Sequence, residues 1–146
     1  LQKLVGFKFI FEGAERPELG QFPLYKGTED NLQKQVATYL DFSEAVWFHS
    51  PNGGKRNLLE AIKFKKMGVK SGVPDCLILN QRQGFKGLAI ELKVGKNQPT
   101  QNQMDWLEDL ARLGYLCWVS WSLDEVVALI DWYFDKRKPL KLTEKK

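Results

Sequence analysis

The chain has 146 residues, 43% of them hydrophobic and 27% charged, and a formal net charge of +4. That length fits one domain around one core, and the balance is that of an ordinary globular protein rather than a fibrous or disordered one. No apolar run approaches the ~20 residues that span a bilayer, no signal-type segment opens the chain, and the modest positive charge permits a nucleic-acid partner without demanding one.

The two cysteines, Cys76 and Cys117, each sit inside an apolar run without metal-ligand spacing. They are expected to be buried reduced thiols, which fits a cytoplasmic setting. In chain order, residues 1–27 read as an N-terminal arm: "LVGFKFIF" has strand character, and "EGAERPELGQFP" interrupts it with Gly and Pro. "TEDNLQKQVATYLDF" reads as a helix with Thr28 as its cap, Glu29 and Asp30 in the first turn, and Leu32, Val36, Tyr39 and Leu40 as its apolar stripe. A strand "AVWFHS" ends at the breaker "PNGG", and a second helix "LLEAIKFKKMG" closes at Gly68. Next come the strand "DCLILN", the turn "QRQGFKG" and the strand "LAIELKV". A third helix follows between Thr100 and Gly114, then the strand "YLCWVSW" and a last helix capped by Ser122. Residues 136–146 form a basic tail. The expected order from residue 28 is α-β-α-β-β-α-β-α, a mixed α/β (α+β) domain with helices on both faces of one small sheet.

The central hairpin carries charges among its apolar residues. Alternation puts Leu88, Ile90, Leu92 and Val94 on one face and Ala89, Glu91 and Lys93 on the other, with Glu91 and Lys93 about 6.5–7 Å apart along the strand. Pairing across the hairpin brings Asp75, which follows Pro74, beside Glu91. Two such carboxylates repel and are costly to bury unless neutralised. A divalent cation is one solution, and oxygen-only ligands point to Mg2+ or Mn2+. The ordinary alternative is a Glu91–Lys93 ion pair on a solvated sheet surface. Glu29 and Gln103 weigh against it, because each extends the apolar stripe of its helix at the N-terminal end, toward a common acidic site.

These residues resemble a known family. "PD", then "ELK" on the following strand, then a helix with Gln, is similar to the PD-(D/E)xK nuclease superfamily. The longer phrase "NGGKR…MGVKSGVPD…ELK…TQNQMDWL" resembles more narrowly its virus-type replication-repair nuclease domain, VRR-NUC, of the standalone phage or bacterial kind. The resemblance runs from about residue 28 to 131, within an expected nuclease domain of residues 28–135. It implies a restriction-endonuclease-like fold and a Mg2+- or Mn2+-dependent endonuclease acting in DNA repair. Glu29, Asp75, Glu91 and the Leu92 carbonyl would be metal ligands, with Asp75, Glu91, Lys93 and Gln103 catalytic. Asn52, Gly53, Gly54, Lys55 and Arg56 would lie beside the site, where glycine backbone and two cations suit a phosphate chain. Lys63, Lys66 and Lys70, at helical spacing, and Lys96 are further candidates for DNA contact, against the alternative of a solvated helix face. His49, the one histidine, is expected to have a polar strand-end role, with substrate handling as its alternative.

Standalone members of the family resemble dimeric Holliday-junction resolvases, so a branched or four-way DNA substrate and a homodimer are expected. The N-terminal arm or the last helix would supply the interface. A monomeric flap or nick nuclease, a restriction-type nuclease and a non-catalytic DNA-binding module are the alternatives.

Overall fold

The computed structural model describes residues 17–51 and 57–135, together with the backbone of residues 7–9. Nine elements follow in order: β1 (Phe7–Phe9), α1 (Glu29–Phe42), β2 (Trp47–His49), α2 (Leu58–Lys66), β3 (Cys76–Ile78), β4 (Gly87–Leu92), α3 (Gln101–Arg112), β5 (Tyr115–Ser120) and α4 (Leu123–Tyr133). From α1 onward this is the expected order, and the strand character of the N-terminal arm becomes β1.

Local chemistry sets the boundaries. The side chains of Thr28, Asn57, Thr100 and Ser122 each accept a backbone N–H in the first turn of the helix that follows, filling bonds that a helix cannot make for itself. Gly68 and Gly114, at φ of 98° and 100°, close α2 and α3 in the left-handed conformation that a glycine adopts at least cost. The turn between β3 and β4 is tight: Arg82 and Phe85 exchange both backbone hydrogen bonds, and Gln83 and Gly84 both have positive φ. Such turns match the twist of the strands that they join.

The five strands form one mixed sheet in the order β1-β5-β4-β3-β2. Only β4 and β5 are parallel, joined by the crossover through α3; the other pairs are antiparallel. Alternation then divides the interior. Cys76, Ile78, Leu88, Ile90 and Leu92 pack against Leu32, Val36 and Leu40 of α1 and Val126, Leu129, Ile130 and Tyr133 of α4. Ala89, Cys117 and Val119 pack against Leu107, Leu110 and Ala111 of α3. Both cysteines are buried free thiols, as expected. Residues 17–27 run without regular structure; Leu19 and Tyr25 pack on the core, and the Tyr25 N–H donates to the Trp121 carbonyl at 2.8 Å.

One expectation is corrected. The last helix is not a spare apolar surface, because Ile130, Tyr133 and Phe134 are all in the core. The helix left without a buried side chain is α2: Leu59 is 80% exposed and Met67, its C-cap, 69%, with Leu58, Ile62 and Val69 exposed beside them. Among the described residues, no helix is long and apolar enough to cross a membrane.

Candidate active site

The site forms at the end of the sheet where β3 begins and β4 ends. Cys76 pairs with Ile90 and Leu77 with Ala89, so the same register continued by one residue sets Asp75 opposite Glu91. Asp75 lies just outside β3, and its Oδ2 accepts the Leu92 N–H at 2.8 Å. The Lys93 N–H donates to the Ser120 carbonyl at 3.0 Å, which carries the β4–β5 pairing one step beyond Leu92 and holds Lys93 in line with the strand.

Glu91 is 2% exposed and Lys93 7%. Their side chains meet at 3.5 Å, Nζ to Oε2. The other oxygen, Oε1, is buried without a hydrogen-bond partner. Burial outweighs the lysine: with the charge of Asp75 added, it pushes the Glu91 carboxyl up to about 9, so the metal-free protein holds this group protonated at neutral pH. Burial also raises Asp75, against the lowering effect of the Leu92 N–H and of His49. Glu29 stands at the exposed start of α1 and does not prolong its buried stripe. It nevertheless belongs to the same electrostatic group: its carboxyl is raised by partial desolvation and by Asp75 and lowered by Lys93.

Glu29, Asp75, Glu91 and Lys93 therefore feel one another electrostatically. The donor set is all oxygen, and an orphaned buried carboxylate oxygen is the kind of group that a hard cation satisfies. The residues fit Mg2+ or Mn2+ in kind. Among the described residues, however, no three His, Cys, Asp or Glu side chains are already gathered closely enough to hold an ion.

Other expected residues take different places. Gln103 is occupied by its own helix: its Oε1 accepts the Thr100 N–H at 2.8 Å while its N–H donates to Thr100 Oγ1, a reciprocal capping box. Leu92 enters the site through its N–H. Lys63 and Lys66 are exposed on α2, but Lys70 lies beyond the end of that helix, so the three do not form one helical ridge. Lys65, which the sequence reading passed over, joins Lys70 at a cleft of about 460 Å³ between α2 and α3, lined also by Phe64, Val69, Asn102 and Trp106. None of the site carboxylates lines it. Lys96 is exposed on the turn after Lys93. Asn52, Gly53, Gly54, Lys55 and Arg56 lie outside the described residues. His49, left open by the sequence, approaches Asp75 directly: its Nδ1 is 2.6 Å from the Asp75 carbonyl oxygen.

Comparison with known proteins agrees with this geometry. No curated protein shows a significant match to the chain. A solved structure of a VRR_NUC domain protein is similar at 34% identity with a TM-score of 0.64, over 77% of this chain and 92% of the other. The sequence model of the VRR-NUC domain matches residues 28–121, which contain every carboxylate of the site and Lys93. The chain belongs to the VRR-NUC family and is a nuclease-type domain.

Proposed function

We propose that the protein is a divalent-cation-dependent endodeoxyribonuclease that hydrolyses phosphodiester bonds in branched DNA and works as a two-fold homodimer. The observation that carries the reading is the buried Asp75–Glu91–Lys93 group with its orphaned Glu91 Oε1. Asp75 and Glu91, with Glu29 from α1, would hold Mg2+ or Mn2+. When bound, the cation supplies Lewis acidity toward a phosphoryl oxygen and a water activated at neutral pH.

The remaining work falls to the chain's own groups. Lys93, nearly buried, presents its ammonium in a low-dielectric setting, where a fixed charge acts more strongly than in water. It orients the attacking water and faces the negative charge that develops on the phosphate. The Leu92 N–H keeps the Asp75 carboxylate turned toward Glu91. Exposed Lys63, Lys66, Lys70 and Lys96 offer contacts to the DNA backbone, which position a duplex without reading its sequence.

The homodimer rests on a separate observation, the exposed apolar side chains of α2 and its C-terminal turn. Apolar surface gathered on one element marks an interface. A second copy is the occupant that also supplies the second active site needed to cut both strands of a junction, and a two-fold axis makes the same helix face serve both partners. The test is cleavage of matched duplex, flap and four-way DNA with Mg2+ or with excess chelator, alongside light scattering. Paired cuts in the four-way substrate by a species of twice the chain's mass support the proposal. Metal-dependent single nicks by a monomer favour a flap nuclease, and DNA binding without cleavage favours a non-catalytic module.

A further inference from the structure

Asp75 has an unusual anchorage for a candidate metal ligand. It lies one residue before β3, in a bend after Pro74, so its backbone is outside the strand ladder. Among the described residues, no backbone N–H reaches its carbonyl. Two groups fix it instead. The Leu92 N–H holds the carboxylate from β4, and the His49 imidazole holds the carbonyl from β2, on the opposite side. The β2–β3 register, with His49 opposite Cys76, delivers the ring to this point.

The chemistry of that second contact is constrained. A carbonyl oxygen can only accept, so Nδ1 carries the proton. That N–H is a donor whether the ring is neutral or charged, and the contact therefore does not depend on the ionisation of His49. Its effect is mechanical. The Asp75 carboxyl takes its orientation from the Leu92 N–H, while its own carbonyl is held by His49. A donor clamped on the carbonyl between Asp75 and Cys76 limits rotation of that peptide, and with it displacement of the Asp75 backbone from which the carboxyl projects.

We infer that His49 is a positioning residue that holds Asp75 in place for cation binding through the bond from Nδ1 to the Asp75 carbonyl. The role rests on the proposed metal-dependent nuclease and deepens it. His49 touches neither DNA nor the cation in this role; it acts on the backbone of a ligand. Groups that orient a metal ligand are worth about 10–100-fold in affinity or activity.

Three variants separate this role from a generic one. In His49→Asn the amide nitrogen lies where Nδ1 is, and in His49→Gln it lies nearer Nε2, whereas His49→Ala removes both. Folding is checked by melting temperature, and Mn2+ affinity is measured directly on DNA-free protein by electron paramagnetic resonance. The expected result is weakening of about 10–100-fold in His49→Ala and His49→Gln, with His49→Asn within threefold of the parent. Where the parent cleaves DNA, kcat should follow the same order while KM for DNA stays constant. Unchanged Mn2+ affinity in folded His49→Ala overturns the inference, as does a loss in His49→Asn equal to that in His49→Ala. A KM effect without an affinity effect would place His49 on the substrate and overturn it too. A parent that binds Mn2+ but cleaves nothing would count against the nuclease reading alone, because the affinity series still reads His49.

Discussion

Two regions of this molecule break the rule of apolar inside and charged outside, and they break it in opposite senses. At the end of β3 and β4, Glu91 and Lys93 are buried and one carboxylate oxygen has no partner. On α2, Leu58, Leu59 and Ile62 face water although the helix is as well capped as its neighbours. α4, the more apolar of the two with eight apolar residues in eleven against five in nine, buries Val126, Leu129, Ile130 and Tyr133. Composition already leans α2 toward the surface, through Glu60, Lys63, Lys65 and Lys66, yet its leucines and isoleucine are left uncovered. The lesson is that both exceptions describe a half-interaction. At the sheet end a buried carboxyl oxygen lacks a partner, and on α2 exposed leucine lacks an apolar surface.

The first half-interaction gives the largest expected effect. Asp75→Asn or Lys93→Ala should lower the rate of metal-dependent cleavage by two to three orders of magnitude, about 3–4 kcal/mol of barrier, with the circular dichroism spectrum unchanged. Retention of more than about a tenth of the parent rate would mean that the buried charges serve structure only.

The buried carboxyl should also be visible without substrate. The Glu91 carboxyl binds its proton more tightly in the folded chain, up to about 9, than at its ordinary 4.5. The folded state thus carries more protons than the unfolded one between those values, and stability must fall as pH rises through the window. Thermal melts in chelator should show a falling melting temperature from about pH 4.5 to 9. Glu91→Gln should flatten the slope, and saturating Mg2+ should restore most stability at the alkaline end, where no proton competes for the carboxylate.

The second half-interaction predicts a change of assembly rather than of fold. Leu59→Glu with Ile62→Glu should halve the mass seen by light scattering while shifting stability of the isolated chain by no more than about 0.5 kcal/mol, the usual range for surface substitutions. Equal masses for variant and parent would leave α2 without a copy of itself as partner. The smallest effect belongs to Gln103. Loss of its side of the capping box in Gln103→Ala should cost about 1 kcal/mol in denaturant unfolding and leave kcat within a few-fold. A large kcat effect without that stability loss would restore Gln103 to the catalytic group.

Much of this was legible in the sequence, for identifiable reasons. Strand alternation has period two, so the placement of Glu91 and Lys93 opposite Leu88, Ile90 and Leu92 followed from counting, and the Pro-Asp start of β3 set the register that brings Asp75 to Glu91. Thr28, Thr100 and Ser122 announced their helices because a capping oxygen is a local device. Positions whose meaning depends on distant neighbours were less readable. Gln103 stands at the third helical position, where a capping box and a catalytic side chain have the same sequence signature. Glu29 falls on the apolar spacing of α1, yet it stands in the exposed first turn of that helix. His49 acquires its contact only because β2 pairs with β3, and strand order is not written in β2. The apolar residues of α2 stand among four charged ones, and only the packed structure shows that none of them is buried.

The outer strand β2 has a consequence for how copies of the chain can meet. It is one edge of the sheet, uncovered by any strand among the described residues and three residues long, and Pro51, which has no N–H to donate, follows almost at once. So short a row of free backbone groups gives an incoming strand little to zip onto, and runaway edge-to-edge growth into fibrils is blocked at this side. In the proposed dimer, contact would thus fall to the side chains of a single helix, where the meeting of two copies closes on itself, rather than to backbone pairing, which has no natural stopping point.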